Sequence, residues 1–482
     1  MKNYKLYLMA FGFGGLFFIN STFATNPIIM DQFTADPTAR VFEGKIYLYP
    51  SHDDMKKARA ARGGQGWFAM EDYHAFSSEN LTDWTDHGVI CNQTNVPWLT
   101  RKGDDMWAPD CVFKNGTYYF YFPVGGRIGV ATSDKPYGPW KVLDQPVNGA
   151  RGIDPCVLID DDGTSYLFTG GGGISVGKLM DNMMELEILP GVTNVPPPGA
   201  TNAPQRGRFG SDNHMQRIAN LPQPGLIEGP FAFKRNGTYY LTYPHAVTVD
   251  GRQGSEELEY SISTNAMGPY KWMGIITETN ASGCWTEHHS IVQYNGQWYL
   301  FYHDKQLSPN FDKNRSVRID YLHFNDDGTI QKVIPTLRGV GIVDAKSKIQ
   351  IDRYSDISKE GVSDSFLDAS NTFAGWKISF NGKNTWAKFD RVDFGKRSFF
   401  GRLFGLHSLK SVNVRAQSAT GGVVEIRADK VDGPVLARVE IGKGADWNVV
   451  NARVTGAPSG VHDLVVVQNE NNNVDLDWVS FE

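Results

Sequence analysis

The chain has 482 residues, and Lys+Arg 47 against Asp+Glu 53 leaves a formal net charge of −6, so no basic field exists to hold nucleic acid or an anionic membrane surface. Hydrophobic residues at 41%, charged residues at 21%, 51 glycines and 12% aromatics describe a packed, turn-rich globular protein and exclude a disordered or coiled-coil chain. The length is that of about two folded units.

In chain order, residues 1–24 read as an export signal. Lys2 and Lys5 precede an apolar stretch from Leu6 to Ile19, and Ser21-Thr22-Phe23-Ala24 offers small residues for cleavage. The stretch is short and no basic stop-transfer cluster follows, which argues against a membrane anchor. We therefore expect an exported protein, periplasmic or extracellular, and a monomer. Cys91, Cys111, Cys156 and Cys284 are few, irregularly spaced and without a C-x-x-C pair, so they form neither a zinc site nor a disulfide framework. Buried thiols are expected, with one adventitious disulfide as the alternative.

From Glu43 onward a weak repeat appears. A polar-Gly turn runs straight into an aromatic-rich strand five times: EGKIYLY at Glu43, NGTYYFYF at Asn115, DDGTSYLF at Asp161, NGTYYLTY at Asn236 and NGQWYLFY at Asn295. Asn-Gly and Asp-Gly supply the positive φ angles of tight hairpins, and a short apolar strand precedes each turn. The turn glycines lie about 47 to 74 residues apart, a spacing suited to four-stranded blades with long loops. The expected fold is all-β: a five-bladed β-propeller over residues 25–345.

Eight or nine residues before each turn glycine stands the residue that opens the innermost strand: Asp36, Trp107, Asp154, Glu228 and His288. Innermost strands line the channel of a propeller, so three carboxylates, an indole and an imidazole should meet at one mouth. The bland alternative, that acids at strand starts form turns, suits Asp36 or Asp154 taken singly and suits Glu228 badly, since Glu is a poor turn residue. Two carboxyl groups flanking a glycosidic bond can hydrolyse it, one protonating the leaving oxygen and the other activating water on the opposite ring face. Glu228, in an apolar setting, is the candidate acid; Asp154, on the preceding blade, would tune its pKa; Asp36, across the channel, is the candidate base.

The segments ADPTARVFEGKIYLY, WAPDCVFKNGTYYFYF, GIDPCVLIDDDGTSYLFTGG, EGPFAFKRNGTYYLTY and HHSIVQYNGQWYLFYH resemble the five blade signatures of glycoside hydrolase family 43. The resemblance implies an inverting mechanism, with Asp36 as general base, Asp154 as pKa modulator and Glu228 as general acid. It further implies that His288 orders a water network or a calcium ion in the channel, with a hydrogen-bonded core histidine as its alternative; a neutral imidazole is a modest calcium ligand, so water would fill most of that sphere. Trp107 resembles an aromatic wall of the sugar subsite, with ordinary core packing as its alternative. Arg318, in RSVRIDYLHF, resembles a basic residue near the active site, with a salt bridge as its alternative. The implied chemistry requires no cofactor. Its substrates would be plant cell-wall polysaccharides or oligosaccharides, selected by loops at Met55–Tyr73 and Val195–Asn220.

Over residues 346–482 short alternating strands such as SVNVRAQSA and GVVEIRADK suggest a β-sandwich of jelly-roll type. WAKFDRVDFG, GGVVEIRAD, the strand around Trp447 and VDLDWVSF resemble carbohydrate-binding module family 6. Asp475 and Ala445 depart from the pattern of sugar-binding members, which leaves a structural buttress as an equal reading; Trp376 and Trp386 are candidate exposed aromatics, with core packing as the alternative for either. The resemblance favours an exo-acting or debranching α-L-arabinofuranosidase on arabinoxylan. Its rivals are a β-xylosidase on xylo-oligosaccharides, a non-catalytic carbohydrate-binding protein, and a propeller scaffold for protein partners.

Overall fold

The computed structural model describes residues 26–190, 213–222, 225–249, 252–279, 284–396 and 409–482. The export segment at 1–24 and most of the Val195–Asn220 loop lie outside the described residues. Among those described, no helix is long and apolar enough to cross a membrane.

Five antiparallel sheets follow one another along the chain. Their innermost strands are Thr34–Phe42, Asp110–Lys114, Ile153–Ile159, Phe231–Arg235 and His289–Tyr294, and each contacts the next around a closed circle. This is a five-bladed β-propeller. All five expected hairpins form, joining each innermost strand to its aromatic-rich neighbour. In four of them both turn residues have positive φ, as at Asn115 (52°) and Gly116 (80°). The Asp161 turn is wider: only Gly163 is left-handed there, and Asp160 N–H bonds the Thr164 carbonyl.

Two departures from the expected pattern are local. Blade five has three strands rather than four, because after Leu322 the chain makes an Asp-Gly turn, leaves only the Phe324–Ile330 bridge as a fourth rung, and then runs on to the second domain. Residues Met55–Gly64, expected as a loop, form a kinked helix whose N-cap is Asp54, its carboxylate accepting the Lys57 N–H at 2.9 Å. The ring closes between blades one and five, where Ile28 N–H bonds the Val317 carbonyl and Ala39 N–H bonds Ser290 Oγ. Beneath the channel mouth Arg40 grips Asp110 through two hydrogen bonds and also donates to the Val157 carbonyl, tying three blades together. All four cysteines are buried free thiols.

From Val343 the chain builds two facing sheets around a core that includes Phe380, Phe389, Val412 and Phe481. This β-sandwich is fastened to the propeller. Phe33 and Leu307 pack against Trp376; Arg353 lies 3.9 Å over the Trp376 ring and donates to the Asn26 carbonyl; Arg338 pairs with Asp390 at 2.7 Å. Trp376 is thus a buried interface residue stacked on Phe366, the core-packing alternative and not the exposed one.

Candidate active site

Asp36 and Asp154 share an unusual backbone. Their φ angles are +47° and +53°, each sits immediately before a proline, and each lies where the register of the innermost strand shifts. A bulge of this kind breaks the alternation of the strand and re-aims one side chain, here toward the channel. Blade four repeats the device with Gly229 (φ +48°) before Pro230, so its carboxylate comes from Glu228, one residue earlier on a longer side chain. A Cβ at Gly229 would lie 2.8 Å from His288 Nδ1 and 2.9 Å from Pro244, and the bare glycine lets the blades close there. Its N–H donates to Asp154 Oδ2 at 3.1 Å, joining blade four to blade three.

Asp36 is the cation-held acid. Arg315 donates to Oδ1 at 2.9 Å and to Oδ2 at 3.3 Å, and Ser51 Oγ donates to Oδ2 at 2.6 Å. Burial would raise its pKa, but Arg315, His303, His288 and the Ser51 bond outweigh it and hold the carboxyl at about 2. Asp53, fully buried, takes the other edge of the same guanidinium and fixes its plane. Asp36 N–H donates to His303 Nδ1, so His303 bears its proton on Nε2 and gives it to the Thr286 carbonyl.

Glu228 and Asp154 are held in the opposite state. Burial and the charge of Asp36 push Glu228 up to about 7, against a smaller lowering by Arg315. Burial, Glu228 and Asp36 push Asp154 well above the carboxylate range. Such a pair shares protons rather than ionising independently. Behind them Glu256, fully buried, accepts the Glu287 N–H at 2.7 Å with one oxygen while the other is orphaned, and burial with the nearby acids raises it as well.

Glu228 lies on the wall of a cavity of about 580 Å³ together with Trp107, Asp105, Thr169 and the Gly170–Gly173 run. Neither Asp36 nor Asp154 lines this cavity; both are buried and interact electrostatically with Glu228. Trp107 is half-buried, with its carbonyl held by the Tyr73 hydroxyl at 2.7 Å. Beside Asp36, Phe68 lies 4.7 Å from the Arg315 guanidinium and packs on Trp285, which gives the rim a second aromatic surface.

The structure therefore brings Asp36, Asp154, Glu228, His288 and Trp107 to one mouth. It takes Arg318 elsewhere. That guanidinium pairs with Asp304 at 2.5 Å and donates to the Thr336 carbonyl, and it is absent from the cavity wall; the arginine on the carboxylates is Arg315, three residues earlier. His288 is buried and its pKa falls to about 4, chiefly through desolvation, so it is a neutral imidazole. Among the described residues no group of three metal donors includes it, so a calcium ion there would be held by this imidazole with water in the remaining positions. Ser51, Asp53, His303, Arg315 and Glu256 were not singled out from sequence. The only signal for Arg315 was the pair of arginines in one closing segment.

A five-bladed propeller that holds one carboxylate low in pKa and another raised at its channel mouth carries the two groups glycoside cleavage calls for. The chain belongs to glycosyl hydrolases family 43, whose model matches residues 24–330, and its C-terminal part, residues 358–482, matches the carbohydrate binding module (family 6). It is a glycosidase. Over 347 residues it is 34% identical to a xylosidase/arabinosidase 43A of Humicola insolens, covering 63% of this chain and 98% of that protein. Over 485 residues it is 28% identical to an arabinoxylan arabinofuranohydrolase of Bacillus subtilis (strain 168), covering 92% and 89%. A family 43 β-xylosidase/α-arabinofuranosidase from a compost metagenome, solved with xylotriose in a calcium-free form, superposes with a TM-score of 0.53 at 31% identity, covering 65% of this chain and 98% of that one.

Proposed function

We propose that the chain is an exported, monomeric, inverting glycosidase that removes terminal or side-chain sugars from plant hemicellulose, an α-L-arabinofuranosidase acting on arabinoxylan or arabino-oligosaccharides. The observation that carries this reading is the contrast between Asp36, ionised and gripped by Arg315, and Glu228, protonated on the cavity wall. Glu228 gives its proton to the glycosidic oxygen as the bond from that oxygen to the anomeric carbon breaks. Water attacks the anomeric carbon from the opposite ring face and passes its proton to Asp36. The released sugar then has the inverted anomeric configuration, and the two carboxyl groups reset by exchange with solvent.

Asp154, itself raised by burial and by Glu228, is coupled to Glu228, and the pair shares protons, so the two do not both ionise near neutral pH. Arg315 holds Asp36 in its attacking orientation, and Trp107 offers a ring face to the sugar. The family chemistry calls for no cofactor, and no step here is routed through a metal. The arabinofuranosidase reading leans on the arabinoxylan arabinofuranohydrolase of Bacillus subtilis, which aligns along 92% of this chain. A β-xylosidase on xylo-oligosaccharides is the second reading, favoured by the relatives that align along about two thirds of this chain and are named for both activities. Purified protein assayed on aryl α-L-arabinofuranoside, aryl β-D-xyloside and arabinoxylan separates the two. Equal inactivity on all three would leave a carbohydrate-binding protein, and proton NMR of the first-formed sugar tests inversion.

A further inference from the structure

On the back of the strand that supports Asp36 there is a second cluster that the hydrolytic chemistry does not use. Strand Lys45–His52 pairs with strand Asp72–Ser78, and the register that sets Ser51 against Tyr73 sets His52 against Asp72. Side chains alternate along a strand, so His52 projects away from its buried neighbours Ser51 and Asp53, and His74 lies on the same face as Asp72. One donor atom from each of His52, Asp72 and His74 lies within 4.8 Å of the other two. The imidazoles of His52 and His74 meet edge to face with ring centres 5.2 Å apart.

We propose that His52, Asp72 and His74 form a binding site for a divalent transition-metal ion of the zinc type, with water as the fourth ligand. Two imidazoles and a carboxylate are a donor set zinc accepts in tetrahedral geometry with bonds of about 2.0–2.2 Å, and three protein donors leave one position open. The hard-oxygen preference of calcium and magnesium is not met by two nitrogens.

The arrangement around His74 is what separates this cluster from a chance meeting of polar groups. Its Nδ1 lies 3.0 Å from both oxygens of Asp86, so Nδ1 carries the proton and Nε2 is left with the lone pair a metal needs. Asp86 is itself fixed by the Gly88 N–H at 2.7 Å and by Gln32 at 3.2 Å. A carboxylate orienting a ligating histidine is the usual outer partner of metal-binding imidazoles. His52 Nδ1 lies 2.7 Å from Asp72 Oδ1, and the proton that joins them is released when the ion binds. The side chains are 29%, 13% and 14% exposed for His52, Asp72 and His74, accessible to an ion yet restrained by the sheet. Bound there, the ion clamps two strands of blade one directly behind Ser51 and Asp53.

The test uses the full chain, stripped with chelator and desalted. Calorimetric titration with Zn2+ should show one saturable site per chain, and Co2+ in its place should give the visible absorption bands of a four-coordinate ion. His52→Gln combined with His74→Gln should abolish both signals while leaving turnover of an aryl glycoside within about twofold, which certifies the fold. Asp86→Asn, which removes only the orienting partner, should weaken Zn2+ binding about 10–100-fold. The proposal is overturned by a wild-type chain that binds no Zn2+ saturably, by unchanged affinity in the double variant, or by Ca2+ displacing Zn2+ at comparable concentration. Because its readout is binding and spectroscopy, it stands or falls independently of the sugar the enzyme releases.

Discussion

Glu228 at the channel mouth and Asp475 on the sandwich are treated in opposite ways. In the sandwich Asp475 is fully partnered by Lys377, by Ser379 Oγ at 2.6 Å and by Gln417 at 2.9 Å, and these bonds outweigh the burial that would raise it, so its pKa is lowered. Glu425 is likewise gripped by Arg427 and Arg438. At the channel mouth a single guanidinium serves Asp36 and Asp53, while Glu228 and Asp154 have no cation of their own among the described residues. Pairing is what stability asks of a buried charge. A site that withholds it from two adjacent carboxyl groups keeps a proton where chemistry can use it, and accepts the cost in stability. Asp475, which alternates with the core residues Val474 and Leu476, is held on the outer face of its sheet by Lys377, Ser379 and Gln417.

The sharpest way to break this comparison is to remove the one ionised acid at the mouth. Asp36→Asn keeps the shape but loses the proton acceptor, and kcat should fall by about 10²–10⁴-fold or more on every substrate, including those with good leaving groups. Activity within tenfold of wild type would take Asp36 out of the base role. Glu228→Gln should cost as much on natural linkages and far less on aryl glycosides whose leaving group needs no proton. The pH profile carries the sign. Wild-type kcat/KM should fall on the acid side only as Asp36 protonates near about 2 and on the alkaline side as Glu228 loses its proton through about 7. In Glu228→Gln, assayed on an activated substrate, the alkaline limb should vanish; a limb persisting near 7 would assign it to another group, Asp154 first.

How much of this was legible in the sequence depends on what kind of contact was involved. The blades and the three acids could be read because a hairpin turn fixes the phase of its strand, and counting back from the turn glycine reaches the channel. Even there Glu228 hid a one-residue offset, since Gly229 occupies the bulge position that Asp36 and Asp154 hold in their blades. Arg315 could not be chosen over Arg318, because three residues on a strand put the two on opposite faces and only the ring closure decides which face meets Asp36, 279 residues away. Ser51 and His303 belong to second strands, which the counting rule does not address. Exposure and core packing could not be separated for Trp376, because the sequence does not say whether another domain covers that face.

That covering defines the next effect in size. Trp376→Ala removes the indole between Phe366 and Arg353 at the domain junction and should cost about 3–5 kcal/mol, read as a lowered melting temperature with turnover of a soluble aryl glycoside unchanged below the transition. A loss of turnover at low temperature would instead tie the sandwich to the chemistry.

The smallest effect tests the unpaired acid by stability rather than by rate. The pKa of Glu228 is raised from 4.5 to about 7 in the folded chain, so the native state binds more protons than the unfolded state between those values, and its contribution to stability is fully present below about 4.5 and lost as pH rises through about 7. Glu228→Gln cannot ionise and escapes that loss. The variant should therefore match wild type in melting temperature at pH 4 and exceed it at pH 8, by no more than about 1–3 kcal/mol. Equal stability at pH 8 would mean that Glu228 ionises in the fold as easily as in water. The channel would then leave Glu228 as free to ionise as a solvated carboxyl, and the proton would have to come from elsewhere.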